Sequence, residues 1–400
     1  MTGGIYAMIT VIELLSHPTF RDFQLVSGSS GLYNVVTGTG IFEWESSTDV
    51  DKTFMRGEFV VTTLSQAKGD LSYAEKCLRT LILKGVSGIA IKTVYFQEVP
   101  EEITTMSEKY NTPIFLFADT YFDDIIYTIK NALITRTLNA NNVEKLNKLL
   151  NPDTQLYLVN RIAREINPFF FDDFICCVAY PNDISLKNEE NLEIYLREHF
   201  NGQLNSFFDS SDVIYSLIVC SYGVLIIYTV RESSTESAKL NTGLMELLGK
   251  LGISQGSFMM GLSNIHSGLD QLGIAIKESI YANTSCIIDC ESIQSFGSIG
   301  LDQFLMPTRN DLWVKEYYNN ILKILQEYDA DYNSNLMETL VEYIKSEGDI
   351  QLTSKKCFLH NNTIRYRLGK IKEILNIEQN ADFYPQMYVF IRLYQIYNNL

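Results

Sequence analysis

At 400 residues and 46% apolar content, the chain has room for two or three domains, each with its own core. Its net charge of −16 excludes a globally basic nucleic-acid binder, or a protein held on anionic membrane by charge alone. The charge is uneven: from Lys345 to Leu400 there are 8 Lys+Arg against 5 Asp+Glu, a net of +3, and the remainder carries 24 against 43, a net of −19. An acidic body with one small basic module suggests local affinity for DNA.

Seven Cys without a Cys-x-x-Cys spacing read as reduced, mostly buried thiols and point to the cytoplasm. The four His are scattered, so neither a metal nor another cofactor is expected. The first residues lack the basic and apolar regions of a signal peptide, and Met8 is a second candidate start. One uncharged stretch, Val213–Val230, approaches the length of a membrane span. It is interrupted by Ser221-Tyr222-Gly223 and rich in Val, Ile and Tyr, so it reads as two strands joined by a turn, and no membrane partner is expected.

Residues 8–122 alternate strands and helices. A short helix begins at Ile9–Leu15 with Thr10 as its cap. Leu25–Val26, Val35–Val36, Phe59–Thr63, Gly88–Ile91 and Pro113–Phe117 read as strands, and Tyr73–Lys84 and Pro100–Tyr110 as helices. That order predicts an α/β domain with parallel strand pairs. Ligand sites in such domains lie at the carboxyl ends of strands, where Thr62, Thr63, Lys92 and Asp119 fall; Glu58 stands at the turn before one strand. These five are the candidate ligand-binding residues, and each has an ordinary reading as a strand or turn residue. No glycine-rich phosphate loop is present.

Residues 123–168 read as a helical linker able to dimerise. Asp123–Leu150 is one long helix or a pair broken near Asn139–Asn142. Residues 169–300 form a second, α+β unit. Its strands are Phe174–Ala179, the hairpin, Phe258–Leu262 and Ile287–Asp289; its helices are Asn191–Phe200, Thr235–Leu251 and Leu269–Ala282. This order resembles the nucleotide-cyclase-like fold of GGDEF domains. Active members carry acidic residues at the hairpin tip for metal and phosphates. The tip here is Ser221-Tyr222-Gly223, and Asp209 and Asp212 before the hairpin read as loop residues, so no catalytic residue is expected.

Residues 308–400 read as all-helical, with helices over Asn310–Glu327 and Asn335–Lys345 and a last one starting at Pro385. Between them Asp349–Leu375 reads as two short helices with a break at Phe358–His360. In the second, Ile364, Leu368, Ile371 and Leu375 recur at spacings of four, three and four and share one stripe. Thr363, Tyr366 and Lys370 fall opposite, Arg365 and Arg367 on the flanks, and Asn361 or Asn362 at the N-cap. An apolar floor with a cationic roof suits a helix-turn-helix recognition helix, although many surface helices share that pattern and bind nothing.

Together these stretches resemble the PucR family of transcriptional regulators, named for purine catabolism regulation. The carrying residues are Leu336-Met-Glu-Thr339-Leu340-Val-Glu-Tyr343, Gly348-Asp349 and His360-Asn361-Asn362-Thr363-Ile364-Arg365-Tyr366-Arg367-Leu368. Ile9–Leu15, Arg56–Thr63 and Gly85–Ile91 are similar to the family's N-terminal domain, and Gly261–Ala282 to its degenerate GGDEF-like domain. The family usually has Arg where Asn361 stands, and Ala and Leu where Ser354 and Cys357 stand; a buried Ser354 needs a hydroxyl partner. The resemblance implies a homodimer binding double-stranded DNA, a small-molecule effector, no enzymatic activity, and control of a catabolic operon such as purine or ureide metabolism. Lys355, Lys356, His360, Asn361, Asn362, Thr363, Arg365, Tyr366, Arg367 and Lys370 are the expected DNA-binding residues, with Asn362, Thr363 and Tyr366 facing bases. The alternatives are a nucleotide-binding or cyclic-dinucleotide enzyme using the middle domain, and a ligand sensor that does not bind DNA.

Overall fold

A computed structural model describes residues 9–183, 189–200, 203, 208–210, 212–231, 237–377 and 380–399. Met8 and the Thr235 start of a predicted helix lie outside the described residues. The chain forms two compact units, Met1–Asn147 and Lys148–Leu400. No described helix is long and apolar enough to cross a membrane.

The first unit comprises β1 (Ile9–Thr10), α1 (Val11–Leu15), β2 (Gln24–Ser27), β3 (Val35–Val36), β4 (Gly38–Ile41), α2 (Val50–Thr53), β5 (Glu58–Thr62), α3 (Leu71–Lys84), β6 (Gly88–Lys92), α4 (Glu101–Tyr110), β7 (Ile114–Phe117) and most of α5 (Phe122–Leu150). Strands β4, β5, β6 and β7 run parallel, and β2 closes the sheet antiparallel to β7. Both faces are covered, so the central strands β5, β6 and β7 carry runs of apolar residues, such as Phe59–Val61 and Ile89–Ile91, rather than apolar residues at alternate positions. Val60, Ile89 and Ile91 pack with Leu78, Leu81 and Ile103 on one face. Phe59, Val61 and Ala90 pack with Leu14, Ile125 and Ile129 on the other. The expected α/β order is present. Strand β4 escaped prediction because Gly38 and Gly40 depress its β-propensity.

Local chemistry fixes the helix ends. Asp70 accepts the Tyr73 amide at 3.0 Å to start α3, which stops at Gly85. Thr10 and Glu13 form a capping box, with the Thr10 amide 2.7 Å from Glu13 Oε2. Arg136 of α5 reaches Glu13 at 2.5 Å. Burial pushes the Glu13 carboxyl up, but the bonds from Arg136 and Thr10 outweigh it and hold its pKa below the ordinary value. Helix α5 continues unbroken through Asn139–Asn142.

The second unit opens with α6 (Leu156–Ile166), β8 (Asp173–Pro181), α7 (Glu189–His199), β9 (Phe208–Ser210), β10 (Val213–Cys220), β11 (Gly223–Val230), α8 (Ser237–Lys250), β12 (Phe258–Leu262), β13 (His266–Ser267), α9 (Leu272–Asp289) and β14 (Ile293–Ser295). The sheet runs β14-β12-β8-β11-β10-β9, with β13 beside β8. Only β12 and β14 pair in parallel among these described strands. The uncharged stretch is the hairpin its turn residues predicted, closing at Cys220 opposite Gly223. Gly223 has φ +109, and a Cβ there would lie 2.4 Å from the Ala179 carbonyl oxygen, so only glycine fits.

Two assignments need correction. Ile287–Asp289 is the last turn of α9, not a strand, and the final strand is β14. The β-branched pair suggested a strand, but Cys286 is buried against the sheet, its Sγ 3.2 Å from the Met260 oxygen, and the helix stops only at Cys290 with φ +57. The last helix starts at Asn380 and contains Pro385 rather than beginning with it.

Six helices complete the unit: α10 (Asp302–Thr308), α11 (Leu312–Tyr332), α12 (Leu336–Lys345), α13 (Ile350–Lys356), α14 (Asn361–Ile374) and α15 (Asn380–Asn399). Their shared core holds Leu325, Leu340, Ile364, Leu368, Ile371 and Phe390. Arg392 of α15 joins this helical layer to α9. It donates to Asp302 at 2.8 and 2.5 Å, to Asp289 at 2.6 and 2.9 Å, and to the Ser285 hydroxyl at 3.1 Å. The Arg392 side chain is 11% exposed and that of Asp302 2%. Burial raises the Asp289 pKa, but hydrogen bonding and the charge of Arg392 prevail and hold it below the ordinary range.

Candidate nucleic-acid interface

Helices α12, α13 and α14 build the site. Asp349 caps α13, its Oδ1 accepting the amides of Gln351 at 2.7 Å and Leu352 at 3.1 Å. Ser354 is buried, and its hydroxyl finds the Gln351 carbonyl at 2.9 Å, so its replacement of the usual Ala leaves no orphaned donor. Helix α13 ends in a Schellman closure. The Leu359 amide returns to the Ser354 oxygen at 3.0 Å and the Phe358 amide to the Lys355 oxygen at 3.3 Å. Phe358 occupies the left-handed position of that closure with φ +53. Glycine is usual there, and a side chain costs about 1 kcal/mol more.

Helix α14 starts one residue earlier than the capping expectation. His360 is the N-cap, its Nδ1 accepting the Asn362 amide at 3.2 Å, and Asn361 and Asn362 are the first helical residues. Histidine ranks low as a cap, which is why the two asparagines were preferred. Ile364, Leu368 and Ile371 are buried on the predicted stripe, and Leu375 is half-buried beyond the helix end.

The expected DNA-binding residues divide into two groups. Lys355, His360, Asn362, Arg365 and Tyr366 are exposed, and Asn361 and Thr363 are half-buried beside them. Arg365 lies 3.4 Å from the Asn362 side-chain oxygen. This group surrounds the positive end of the α14 dipole. The other three cations are engaged within the protein. Lys356 pairs with Glu342 at 2.9 Å. Lys370 pairs with Glu373 at 2.9 Å over the Tyr328 ring, and the Glu373 carboxylate raises its pKa. Arg367 turns toward α12 and donates to the Thr339 hydroxyl at 2.8 Å. Its flank position in the helical wheel gave no sign of this, because the Thr339 partner lies 28 residues away. Sequence reasoning also missed Phe358, which is 94% exposed in the middle of the motif. The available signal was the lack of Gly or Asn between two predicted helices.

The candidate ligand residues of the first unit do not converge as a set. Thr62 is fully buried; its hydroxyl donates to the Phe42 oxygen at 2.5 Å and accepts the Leu64 amide at 2.8 Å. Glu58 lies at the opposite end of β5, accepting the Met55 amide at 3.0 Å. Thr63, Lys92 and Asp119 do share the carboxyl edge of the parallel sheet. There the Thr63 hydroxyl donates to Glu43 at 2.6 Å, Lys92 donates to the Thr120 oxygen at 2.9 Å, and the Asp119 amide donates to Asp22 at 2.9 Å. Glu43 and Asp22 were not anticipated, since each stands in a loop far in sequence from the strand it holds. In the middle unit, Asp212 lies 4.0 Å from Arg231; the Asp209 side chain lies outside the described residues.

Comparison with known proteins matches two stretches of the chain. Residues 13–133 match the purine catabolism regulatory protein-like family (PucR), and residues 336–382 match the PucR C-terminal helix-turn-helix domain. The DNA-binding transcriptional activator AdeR of Bacillus subtilis (strain 168) is 33% identical over 100 residues, 25% of this chain and 24% of AdeR. The proline-responsive transcriptional activator PutR of the same organism is 22% identical over 203 residues, 50% of this chain and 48% of PutR. Its purine catabolism regulatory protein is 34% identical over 71 residues, 18% of this chain and 13% of that protein. The chain thus spans half or less of the length of these relatives. Toward its two ends it matches the purine catabolism regulatory protein-like family (PucR) and the PucR C-terminal helix-turn-helix domain.

Proposed function

We propose that the chain is a DNA-binding transcriptional regulator, acting as a cytoplasmic homodimer and controlled by a small molecule. The observation that carries this reading is the exposed cluster of Lys355, His360, Asn362, Arg365 and Tyr366 around the start of α14, on a protein that is otherwise acidic. Lys355 and Arg365 supply phosphate contacts; Asn362, Thr363 and Tyr366 face base edges. A single helix-turn-helix covers little DNA, so two copies on paired half-sites are required. Its target is a catabolic operon, with purine or ureide breakdown as candidates; one relative is named a purine catabolism regulatory protein. The first unit is the sensor, with Thr63, Lys92 and Asp119 nearest its effector. The middle unit is a degenerate GGDEF-like domain. That reading is supported by the hairpin flanked by β8 and by the Ser221-Tyr222 tip, which has no carboxylate to hold a metal or phosphates.

The test is selection of duplexes from a random-sequence DNA library by the full chain, followed by affinity measurement across a salt series. Enrichment of a common motif with paired half-sites, and affinity falling steeply with salt, is the expected result. A chain that enriches no sequence at low salt, with or without metabolites, is not a DNA-binding regulator.

A further inference from the structure

We infer that Phe358 is a DNA contact, packing its ring on apolar C–H surface at the groove edge, either a deoxyribose or the 5-methyl of a thymine. The inference rests on the DNA-binding reading above. Two local features at this residue each run against stability. Its backbone is left-handed at φ +53, at the position of the Schellman closure where glycine or asparagine fits without strain. Its side chain is 94% exposed, so the strain is not offset by burial. Its neighbours Cys357 and Leu359 both pack on the helical core, and Phe358 does not.

Position supplies the occupant. Phe358 lies three residues beyond Lys355 and two before the His360 cap, so it is bracketed by exposed members of the proposed interface. Phe358 stands in the turn that joins the two, so a duplex that meets Lys355 and the first turn of α14 together passes beside the segment that carries the exposed ring. Thymine methyls and sugar C–H groups are the apolar surface such a duplex offers. The ring neutralises no phosphate, so it contributes affinity without contributing to the salt dependence.

The experiment uses the full chain, the duplex it enriches from the random library, and the variants Phe358→Gly, Phe358→Asn and Phe358→Tyr. Glycine and asparagine accept the left-handed backbone, so both variants fold and resist urea at least as well as the wild type. Both should bind the enriched duplex roughly tenfold more weakly with an unchanged salt slope, while tyrosine retains affinity. Replacing thymine by deoxyuridine in the duplex distinguishes the sources. A thymine contact makes the wild type lose the same affinity, and a sugar contact leaves it unaffected. Equal binding by wild type and both small variants overturns the inference alone. So does a loss of urea resistance in both, which would make the ring a structural element, or a shift from dimer to monomer with DNA affinity intact, which would place it on a protein interface. A wild type that enriches no duplex overturns this inference and the DNA-binding reading together.

Discussion

Arg392→Ala should be among the most destabilising single changes in the helical layer. Arg392 lies nearly buried between two carboxylates, and Asp302, the better buried of them, is 2% exposed. Removing the guanidinium leaves Asp302 charged without its partner in a low-dielectric site. Breaking a buried pair from one side in this way costs about 3–5 kcal/mol. The Asp289 side chain is 38% exposed, so water screens its share and Asp289→Asn should cost much less. For a unit of this size, the larger loss corresponds to a melting shift of roughly 6–20 °C. The assay is urea denaturation followed by far-ultraviolet circular dichroism, alongside a thermal melt. The paired change Arg392→Met with Asp302→Leu removes both charges at once and should recover most of the loss. An Arg392→Ala chain within about 1 kcal/mol of wild type, or a double variant as unstable as the single, would refute the reasoning.

The same clamp has a pH signature. A lowered carboxyl contributes stability that is fully present above its unfolded pKa and is lost as pH falls through the folded value. The Asp289 pKa lies below its ordinary 3.8, so the second unit should weaken below about pH 4, and the Arg392→Met variant should lack that part of the loss on acid titration. At the DNA interface, Lys355→Ala with Arg365→Ala removes two phosphate contacts from each of two copies and should lower the salt slope by roughly three to four, while Arg367→Ala leaves the slope alone and costs about 1.5–3 kcal/mol of stability. A slope change with Arg367→Ala would return that residue to the phosphate contacts. In the first unit, Glu13→Ala removes the capping box and the Arg136 pair and should cost about 1–2 kcal/mol in denaturant titration; no measurable change would show the cap to be idle.

The features legible in the sequence were those set by local periodicity. The stripe of Ile364, Leu368 and Ile371, the strand–turn–strand at Val213–Val230 and the parallel order of the first unit all follow from residue spacing, and all are present. The failures arose where a distant partner decides. Ile287–Asp289 looks like a strand until Cys286 is seen against the sheet. Arg367 looks like a free cation until Thr339 is placed beside it. Glu58 and Thr62 share one short strand with the ligand edge, yet one lies at the wrong end and the other is enclosed by Phe42 and Leu64. Phe358 was missed because exposure is a property of the packed chain, and residue spacing places that phenylalanine only in the break between two helices.

The place of β8 in its sheet bears on how the protein is made. Residues Phe174–Ala179 are all buried, yet β8 finds its neighbours late: β11 at residues 224–230 on one side and β12 at 258–262 on the other. A ribosome works from the amino end at ~5–20 residues per second, so the second partner arrives roughly 4–16 s after β8 itself. Through that interval an apolar strand with an unpaired edge is open to neighbouring nascent chains. A strand sheltered from Phe174 to Ala179 in the finished protein is thus one that needs shelter during synthesis.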